Sequence, residues 1–392
     1  MVNICGYYIK EELYNGSRTL VYRAIRDSDE KPVVIKLLKN PYPNFSELVK
    51  FRNQYTIAKN LNSPGIIQIY SLENYQNGYA LVMEDMGGIT LKEYLKNVKT
   101  LNISFVEEFL QIGISLCDTL DILYRHRIIH KDIKPANILI NPETKQVKLT
   151  DFSIASLLPR ETQTLINPNV LEGTLAYISP EQTGRMNRGI DYRSDFYSLG
   201  VTFYELLTGE LPFISDDPIE LMHCHIAHLP CSIKSEEIAE VISDIVIKLM
   251  AKNAEDRYQS ALGLKHDLEL CLKQLQETEK IEYFKIGQRD ICDRFIIPEK
   301  LYGRKQEVER LLEAFKRVSE IENRENKLNQ ARSEIMLVAG FSGIGKTAVV
   351  SSIHKPIIKQ RGYFIKGKFD QFKRNIPFSA FVEAFRDLMG NY

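Results

Sequence analysis

No apolar run in this sequence approaches the roughly 20 residues that a helix needs to cross a bilayer. The first residues, Met1-Val2-Asn3-Ile4-Cys5, lack the basic stretch and long apolar core of a secretory signal. The six cysteines include no C-x-x-C pair, which suits a reducing compartment, and a cytoplasmic location is expected. Neither sign of charge is in excess, with 51 acidic and 51 basic residues, so bulk electrostatics gives no support to nucleic-acid binding. What is present is ordinary globular composition, 44% apolar and 26% charged over 392 residues, enough for two or three domains. His223-Cys224-His225, with His228 and Cys231, could ligate a metal by residue type. Zinc sites usually draw on two separated pairs, however, and this group follows an apolar stretch and leads into Leu229-Pro230, so it reads as a helix end.

The stretch that carries chemistry is His130-Lys131-Asp132-Ile133-Lys134-Pro135-Ala136-Asn137, followed by Asp151-Phe152-Ser153. A carboxylate, a lysine and an amide fall close together, and a second carboxylate follows. Phosphoryl transfer needs such a set: one acid accepts a hydroxyl proton, while an amide and another acid hold Mg²⁺ against nucleotide phosphates. An acidic loop that merely caps a helix does not explain all four groups at once. The spacing resembles the eukaryotic-type serine/threonine protein kinase pattern H-R-D-x-K-x-x-N plus D-F-G. That resemblance implies a bilobal α+β protein-kinase fold over residues 7–270, ATP and Mg²⁺ as cofactors, and a Ser/Thr hydroxyl of a protein as acceptor. It makes Asp132 the base, Lys134 the neutraliser of charge on the transferring group, and Asn137 and Asp151 the Mg²⁺ ligands.

Upstream, residues 7–26 alternate and break at Asn15-Gly16, reading as strand, turn, strand. Alone this is a plain hairpin. Beside the downstream motif it resembles the kinase phosphate-covering loop, with Gly16 and Val21 as nucleotide-contacting positions. Only the middle of three expected glycines is present; Tyr14 and Thr19 hold the other places, so a looser grip on phosphate is expected. Val33-Val34-Ile35-Lys36 resembles the V-A-I-K strand, which makes Lys36 the partner of the α- and β-phosphates. Residues 46–61 have helical periodicity. The glutamate that kinases place there to pair the strand lysine falls on Gln54, and Glu47 lies two turns earlier, about 10 Å along the axis. Tyr79 to Met86 reads as a buried strand entering a connector. By resemblance Met83 stands behind the adenine, and Glu84 and Met86 offer backbone groups to its edge.

Two further departures carry expectations. Lys131 replaces arginine and loses the planar fork that grips phosphate, so activation is expected to depend weakly on phosphorylation of the segment 151–181. Ser153 replaces glycine and reduces backbone freedom there. By resemblance Thr174 bonds Asp132 and Lys134, Thr162 and Thr164 are phosphorylatable, and Asp195 braces the catalytic loop.

After a helical linker expected at 271–297, residues 298–392 read as a second unit, with a charged helix over 305–320. Ile335-Met336-Leu337-Val338-Ala339 has the look of a buried strand and leads into Gly340-Phe341-Ser342-Gly343-Ile344-Gly345-Lys346-Thr347, which matches G-x-x-x-x-G-K-[ST]. Gly340, Gly343, Gly345 and Lys346 would cradle phosphates, and Thr347 would ligate Mg²⁺. This predicts the N-terminal part of an α/β, AAA-like P-loop ATPase, apparently truncated, since no later apolar strand ends in acidic residues. The whole arrangement resembles the front of large multi-sensor signalling kinases common in cyanobacteria, which implies downstream sensor and histidine-kinase modules as neighbours or partners. The alternative is a weakly active, nucleotide-binding scaffold that regulates an attached ATPase.

Overall fold

The computed structural model describes residues 4–96, 102–157, 175–186, 188–235, 237–292, 303–319, 333–341, 343–353, 356–357, 362, 364–367, 369 and 378–389. Thr162, Thr164 and Thr174 lie outside the described residues, as do Ser342 and residues 293–302. The chain divides into two compact units. One holds Met1–Glu161, Asp191–Pro212 and Pro230–Arg294; the other holds Thr162–Ile190, Phe213–Leu229 and Phe295–Tyr392.

The strands are β1 (Tyr7–Asn15), β2 (Thr19–Arg26), β3 (Lys31–Leu38), β4 (Ile69–Tyr75), β5 (Gly78–Glu84), β6 (Ile89–Thr90), β7 (Ile138–Ile140) and β8 (Val147–Leu149). The helices are α1 (Phe45–Ala58), α2 (Leu91–Lys96), α3 (Ile103–Arg125), α4 (Arg193–Thr208), α5 (Pro218–Ala227), α6 (Glu240–Leu249), α7 (Ala261–Thr278), α8 (Lys305–Ser319), α9 (Lys346–Ser351) and α10 (Ser379–Met389). Among the described residues no helix is long and apolar enough to cross a membrane.

The first unit begins with an antiparallel sheet ordered β1-β2-β3-β5-β4. Strand β3 shows why it forms. Val33, Ile35 and Leu37 are buried and point to one face, where they join Ile4, Tyr22, Ala24, Ala80 and Val82 in a single apolar cluster. The period of two sends Val34 and Lys36 to the other face, and Val21 is paired opposite Lys36 on β2. Helix α1 starts where Asn44 and Glu47 cap each other's backbone: Glu47 N–H donates to Asn44 Oδ1, and Asn44 N–H donates to Glu47 Oε2, both at 2.9 Å. Glu47 thus serves as a cap.

The helical lobe of this unit is built on α3, packed against α7, and on α4, packed against α6. Gly113 lets α3 approach closely, since a Cβ there would fall 3.0 Å from Leu268 and 3.1 Å from Phe203. The expected boundary near 270 falls inside α7. Beyond that helix the chain stays on the lobe: Asp290 accepts from Gln259 N–H at 2.8 Å and Ser260 N–H at 2.8 Å, and Gly287 N–H donates to Asp267 Oδ2 at 2.7 Å. The stretch expected to be a helical linker is therefore docked as far as Asp290, because the turn before α7 offers backbone donors that the half-buried Asp290 carboxylate satisfies, and Asp267 on α7 accepts from Gly287 N–H.

In the second unit α5 packs on short 3₁₀ turns at Leu175–Tyr177 and Pro180–Thr183. The expected buried strand at 335–339 is not one: no strand is assigned there, and Ile335 and Leu337 are 99% and 91% exposed. A parallel-type strand is stable only when flanked by partners on its hydrogen-bonding edges and covered on its faces, and none pairs with it among the described residues.

Candidate active site

The catalytic loop of the first unit is held from below. Asp195, at the start of α4, accepts from His130 N–H through Oδ2 and from Lys131 N–H through Oδ1, both at 2.8 Å. This is the bracing expected of it. The residue is buried, and burial pushes its carboxyl up to about 7 even though both amides favour the charged form. His130 is buried as well, and burial lowers its pKa. Its ring meets Thr150 carbonyl oxygen at 3.1 Å through Nε2, accepts from Asp132 N–H at 3.3 Å through Nδ1, and packs edge-on against Phe152 at 4.7 Å. A neutral ring with the proton on Nε2 satisfies both contacts.

Above this support the chemically active side chains form two contacting sets, Asp132 with Lys134 and Asn137, and Asp151 with Lys36. Lys134 Nζ donates to Asp132 Oδ1 and Oδ2 at 2.9 and 2.8 Å. Asn137 Nδ2 donates to Asp132 carbonyl oxygen at 2.9 Å and to Asp132 Oδ2 at 2.8 Å, which aims its own Oδ1 away from them. Thr150 N–H donates to Asn137 carbonyl oxygen at 2.9 Å, so Asp151 follows directly beside Asn137. Lys36 Nζ stands 3.1 Å from Asp151 Oδ1. That oxygen is buried and has no hydrogen-bond donor of good geometry among the described residues. Burial alone would raise the Asp151 pKa, but the Lys36 ammonium and the Ser153 hydroxyl overcome it and hold the carboxyl at about 2. The acid is therefore ionised and paired with Lys36, and its Oδ1 makes no well-aligned hydrogen bond among the described residues. With Asn137 Oδ1 it offers two hard oxygens, which is what a small divalent cation takes from protein when water and phosphate supply the rest. These residues fit the metal that the sequence implied.

Lys131 and Asp151 both hold left-handed backbone, at φ 67° and 64°. Such strain persists only where surroundings fix it, and it gathers at functional sites. Ser153 does not share it, so the serine is unstrained in this arrangement.

On the sheet side, Gln54 takes the glutamate's place: it is 1% exposed, and Lys36 Nζ donates to its Oε1 at 3.1 Å. At the end of β5 and in the connector after it, the acidic side chains are tied to neighbouring elements. Glu84 Oε1 accepts from Lys148 at 2.6 Å and from Gln68 N–H at 2.8 Å. Met86 carbonyl oxygen accepts from Asn141 Nδ2 at 2.7 Å, while no described acceptor meets the Met86 N–H. Arg23 on β2 bonds Asp85 at 2.6 Å and also pairs with Glu11, tying β1 and β2 to the connector. Gly16 lies at the tip of the β1–β2 hairpin. Its N–H donates to Thr19 carbonyl oxygen at 3.0 Å, and the Tyr14 ring lies against it, where a Cβ would fall 2.4 Å from the ring. The loop tip is spent on its own hairpin. Lys39 fastens it further by donating to Asn15 Oδ1 at 2.8 Å and to Gly16 carbonyl oxygen at 3.1 Å.

One contact was invisible in the sequence. Asn53, beside Gln54 on α1, directs Nδ2 at the carbonyl oxygens of Ala155 at 2.9 Å, Ser153 at 3.2 Å and Phe152 at 3.5 Å. Its partners are backbone atoms, which leave no mark on side-chain pattern.

In the second unit Gly343 and Gly345 take positive φ, 80° and 93°, leading into α9. Lys346 Nζ donates to Gly340 and Phe341 carbonyl oxygens at 2.8 and 2.7 Å, closing the loop on itself, and Thr347 is exposed at the helix start.

Comparison with known proteins agrees with this layout. The protein kinase domain family matches residues 7–268, and the AAA ATPase domain family matches residues 300–391. The chain is 32% identical to hybrid signal transduction histidine kinase G of Dictyostelium discoideum, over 72% of this chain and 10% of that protein. It is 33% identical to a probable serine/threonine-protein kinase of Clostridium perfringens, over 68% of this chain and 38% of that one. It is 32% identical to the serine/threonine-protein kinase PknB of Mycobacterium tuberculosis, over 67% and 42%. The chain thus spans between a tenth and about two fifths of the length of these relatives.

Proposed function

The chain belongs to the protein kinase domain family, and from that membership we propose that it transfers the γ-phosphate of ATP to serine or threonine hydroxyls of a protein. The observation that carries this reading is that Asp132 contacts Lys134 and Asn137 directly, Asp151 contacts Lys36 directly, and the Thr150 N–H bond to the Asn137 carbonyl oxygen ties the two sets together in one unit. Asp132 is placed to orient an acceptor hydroxyl and take its proton. Lys134, already against that carboxylate, balances charge that builds on the transferring oxygens. Lys36 reaches the α- and β-phosphates and at the same time holds Asp151 ionised. Asn137 Oδ1 and Asp151 Oδ1 would hold Mg²⁺, which when bound neutralises the phosphate charge. Glu84 and Met86 present backbone to the adenine edge, and Val21, opposite Lys36, covers the nucleotide.

The kinase unit followed by a P-loop segment supports a place at the front of a multi-sensor signalling protein of the cyanobacterial type, acting in the cytoplasm beside sensor and histidine-kinase modules. The P-loop, through Gly340, Gly343, Gly345, Lys346 and Thr347, would bind a second nucleotide. A weakly active scaffold is the competing reading, favoured by Gln54 and by the Gly16 N–H being used inside its hairpin. Labelled ATP with and without Mg²⁺ separates the two. The transfer reading expects Mg²⁺-dependent labelling of protein that Asp132→Ala reduces by about 10²–10⁴-fold; equal labelling by parent and variant overturns it.

A further inference from the structure

We propose that Asn53 is a positioning residue that latches α1 to the backbone carrying Asp151, and that it does for this chain what a lysine–glutamate ion pair would otherwise do. The proposal rests on the phosphoryl-transfer reading of the site. Its starting point is a weakness. Gln54 meets Lys36 as a neutral amide, so the link from α1 through Lys36 to Asp151 lacks a second charge. Hydrogen bonds with one ionised partner are weaker than those between two opposite charges at the same separation. The segment after Asp151 nevertheless needs holding, since φ at Asp151 is 64°, a left-handed conformation that a non-glycine residue adopts in only a few per cent of cases, aspartate more readily than most.

Asn53 supplies a second route that bypasses the lysine. Three carbonyl oxygens, of Phe152, Ser153 and Ala155, turn toward its Nδ2 at 3.5, 3.2 and 2.9 Å. An amide nitrogen has two hydrogens, so the two shorter contacts are the bonds and the third is at the limit. The convergence matters more than the count. Three carbonyl dipoles present their negative ends to one point, and only a donor is stable there. The far end of the same segment is fixed independently, by Ser156 N–H to Ile129 carbonyl oxygen at 2.9 Å and Ile129 N–H to Ser156 carbonyl oxygen at 3.0 Å. Residues 152–155 are thus fastened to α1 on one side and to the entry of the catalytic loop on the other. A shift of α1 is passed to Asp151 through Asn53 whether or not Gln54 keeps its bond.

The test uses the full chain and four proteins: parent, Asn53→Ala, Asn53→Asp and Gln54→Ala. Asn53→Asp keeps the shape and replaces the donor by an acceptor facing three carbonyls. Three readouts are taken: kcat with KM for ATP and for the protein acceptor, the melting temperature, and hydrogen exchange in peptides covering 150–157. Asn53→Asp is expected to lower kcat at least tenfold, about 1.4 kcal/mol, to leave KM for the acceptor unchanged, and to speed exchange at 152–156. Asn53→Ala is expected to fall between it and the parent, and Gln54→Ala to lose less kcat than Asn53→Asp. Asn53→Asp with kcat within twofold of the parent and unchanged exchange overturns the latch. Equal losses in Asn53→Ala and Asn53→Asp that track melting temperature alone also overturn it, because that is a packing role. Should Asn53→Asp not fold, Asn53→Ala decides: full protection kept at 152–156 in that variant overturns the latch, and faster exchange there sustains it. If the parent transfers no phosphate, the transfer reading falls by itself, and faster exchange in Asn53→Asp still sustains the latch.

Discussion

Gln54→Glu is the change that most directly weighs the missing ion pair. Lys36 Nζ lies 3.1 Å from Gln54 Oε1 and 3.1 Å from Asp151 Oδ1. A carboxylate at the same separation adds about 5 kcal/mol of gross attraction at an effective dielectric of about 20. Two effects oppose it. The position is 1% exposed, so stripping water from a carboxylate costs several kcal/mol. The new charge also repels Asp151 across the ammonium they share. Hydrogen bonds to charged groups exceed neutral ones by about 1 kcal/mol net, and that is the gain expected here, about fivefold in kcat/KM for ATP. The assay is initial rate against ATP concentration for parent and Gln54→Glu, repeated with Lys36→Met in both backgrounds, which isolates the pairwise coupling. The gain should vanish without Lys36. A clear fall in kcat/KM, or a gain that survives Lys36→Met, would refute the placement of Gln54 as the lysine's partner.

Two other outcomes follow from the geometry. The Asp195 carboxyl is raised by burial from 3.8 to about 7, so between about pH 4 and pH 7 the folded chain binds more protons than the unfolded chain, and stability falls as pH rises through that window. Melting curves should show that slope in the parent and a smaller one in Asp195→Asn; identical slopes count against it. In the second unit, Lys346 closes the glycine loop by bonding Gly340 and Phe341. Lys346→Ala should abolish the nucleotide binding that survives in Lys36→Ala protein, read by equilibrium binding of a fluorescent ATP analogue, and leave phosphotransfer by the kinase unit within twofold of the parent.

What the sequence made legible was local and chemical. Asp132, Lys134 and Asn137 are fixed relative to one another by a few residues of loop, so their spacing is almost their geometry. The alternation of Val33, Ile35 and Leu37 is enough to place Lys36 on the opposite face, and α1 at 45–58 differs from the expected 46–61 only at its ends. Several of the unread parts depend on backbone atoms distant in sequence. Asn53 meets carbonyls about a hundred residues away. Glu47 looked like a spare acid near the lysine's partner and is a cap, because Asn44 stands three residues before it. The apolar run at 335–339 carried strand hydropathy, but a strand is a property of a pair, and hydropathy does not report the neighbour. Asp290 likewise docks the chain after α7 through main-chain donors that no composition shift announces.

The departures from the family pattern share a physical character. At Gln54 the bond to Lys36 remains and the charge is gone. At Lys131 the backbone N–H still donates to Asp195 at 2.8 Å, which any side chain permits, while the guanidinium fork that would read a phosphorylated segment is absent. At Ser153 the hydroxyl supports Asp151, whereas a glycine would have left the segment freer to turn. Each substitution keeps the contact that assembles the site and removes the feature by which such a site is switched. Lys36, Asp132, Asn137 and Asp151 match that pattern unchanged. A site built this way is held together by hydrogen bonds to fixed backbone, with Asn53 and Asp195 on its two sides. Its activity should therefore respond to the position of α1 more than to phosphate on the segment after Asp151.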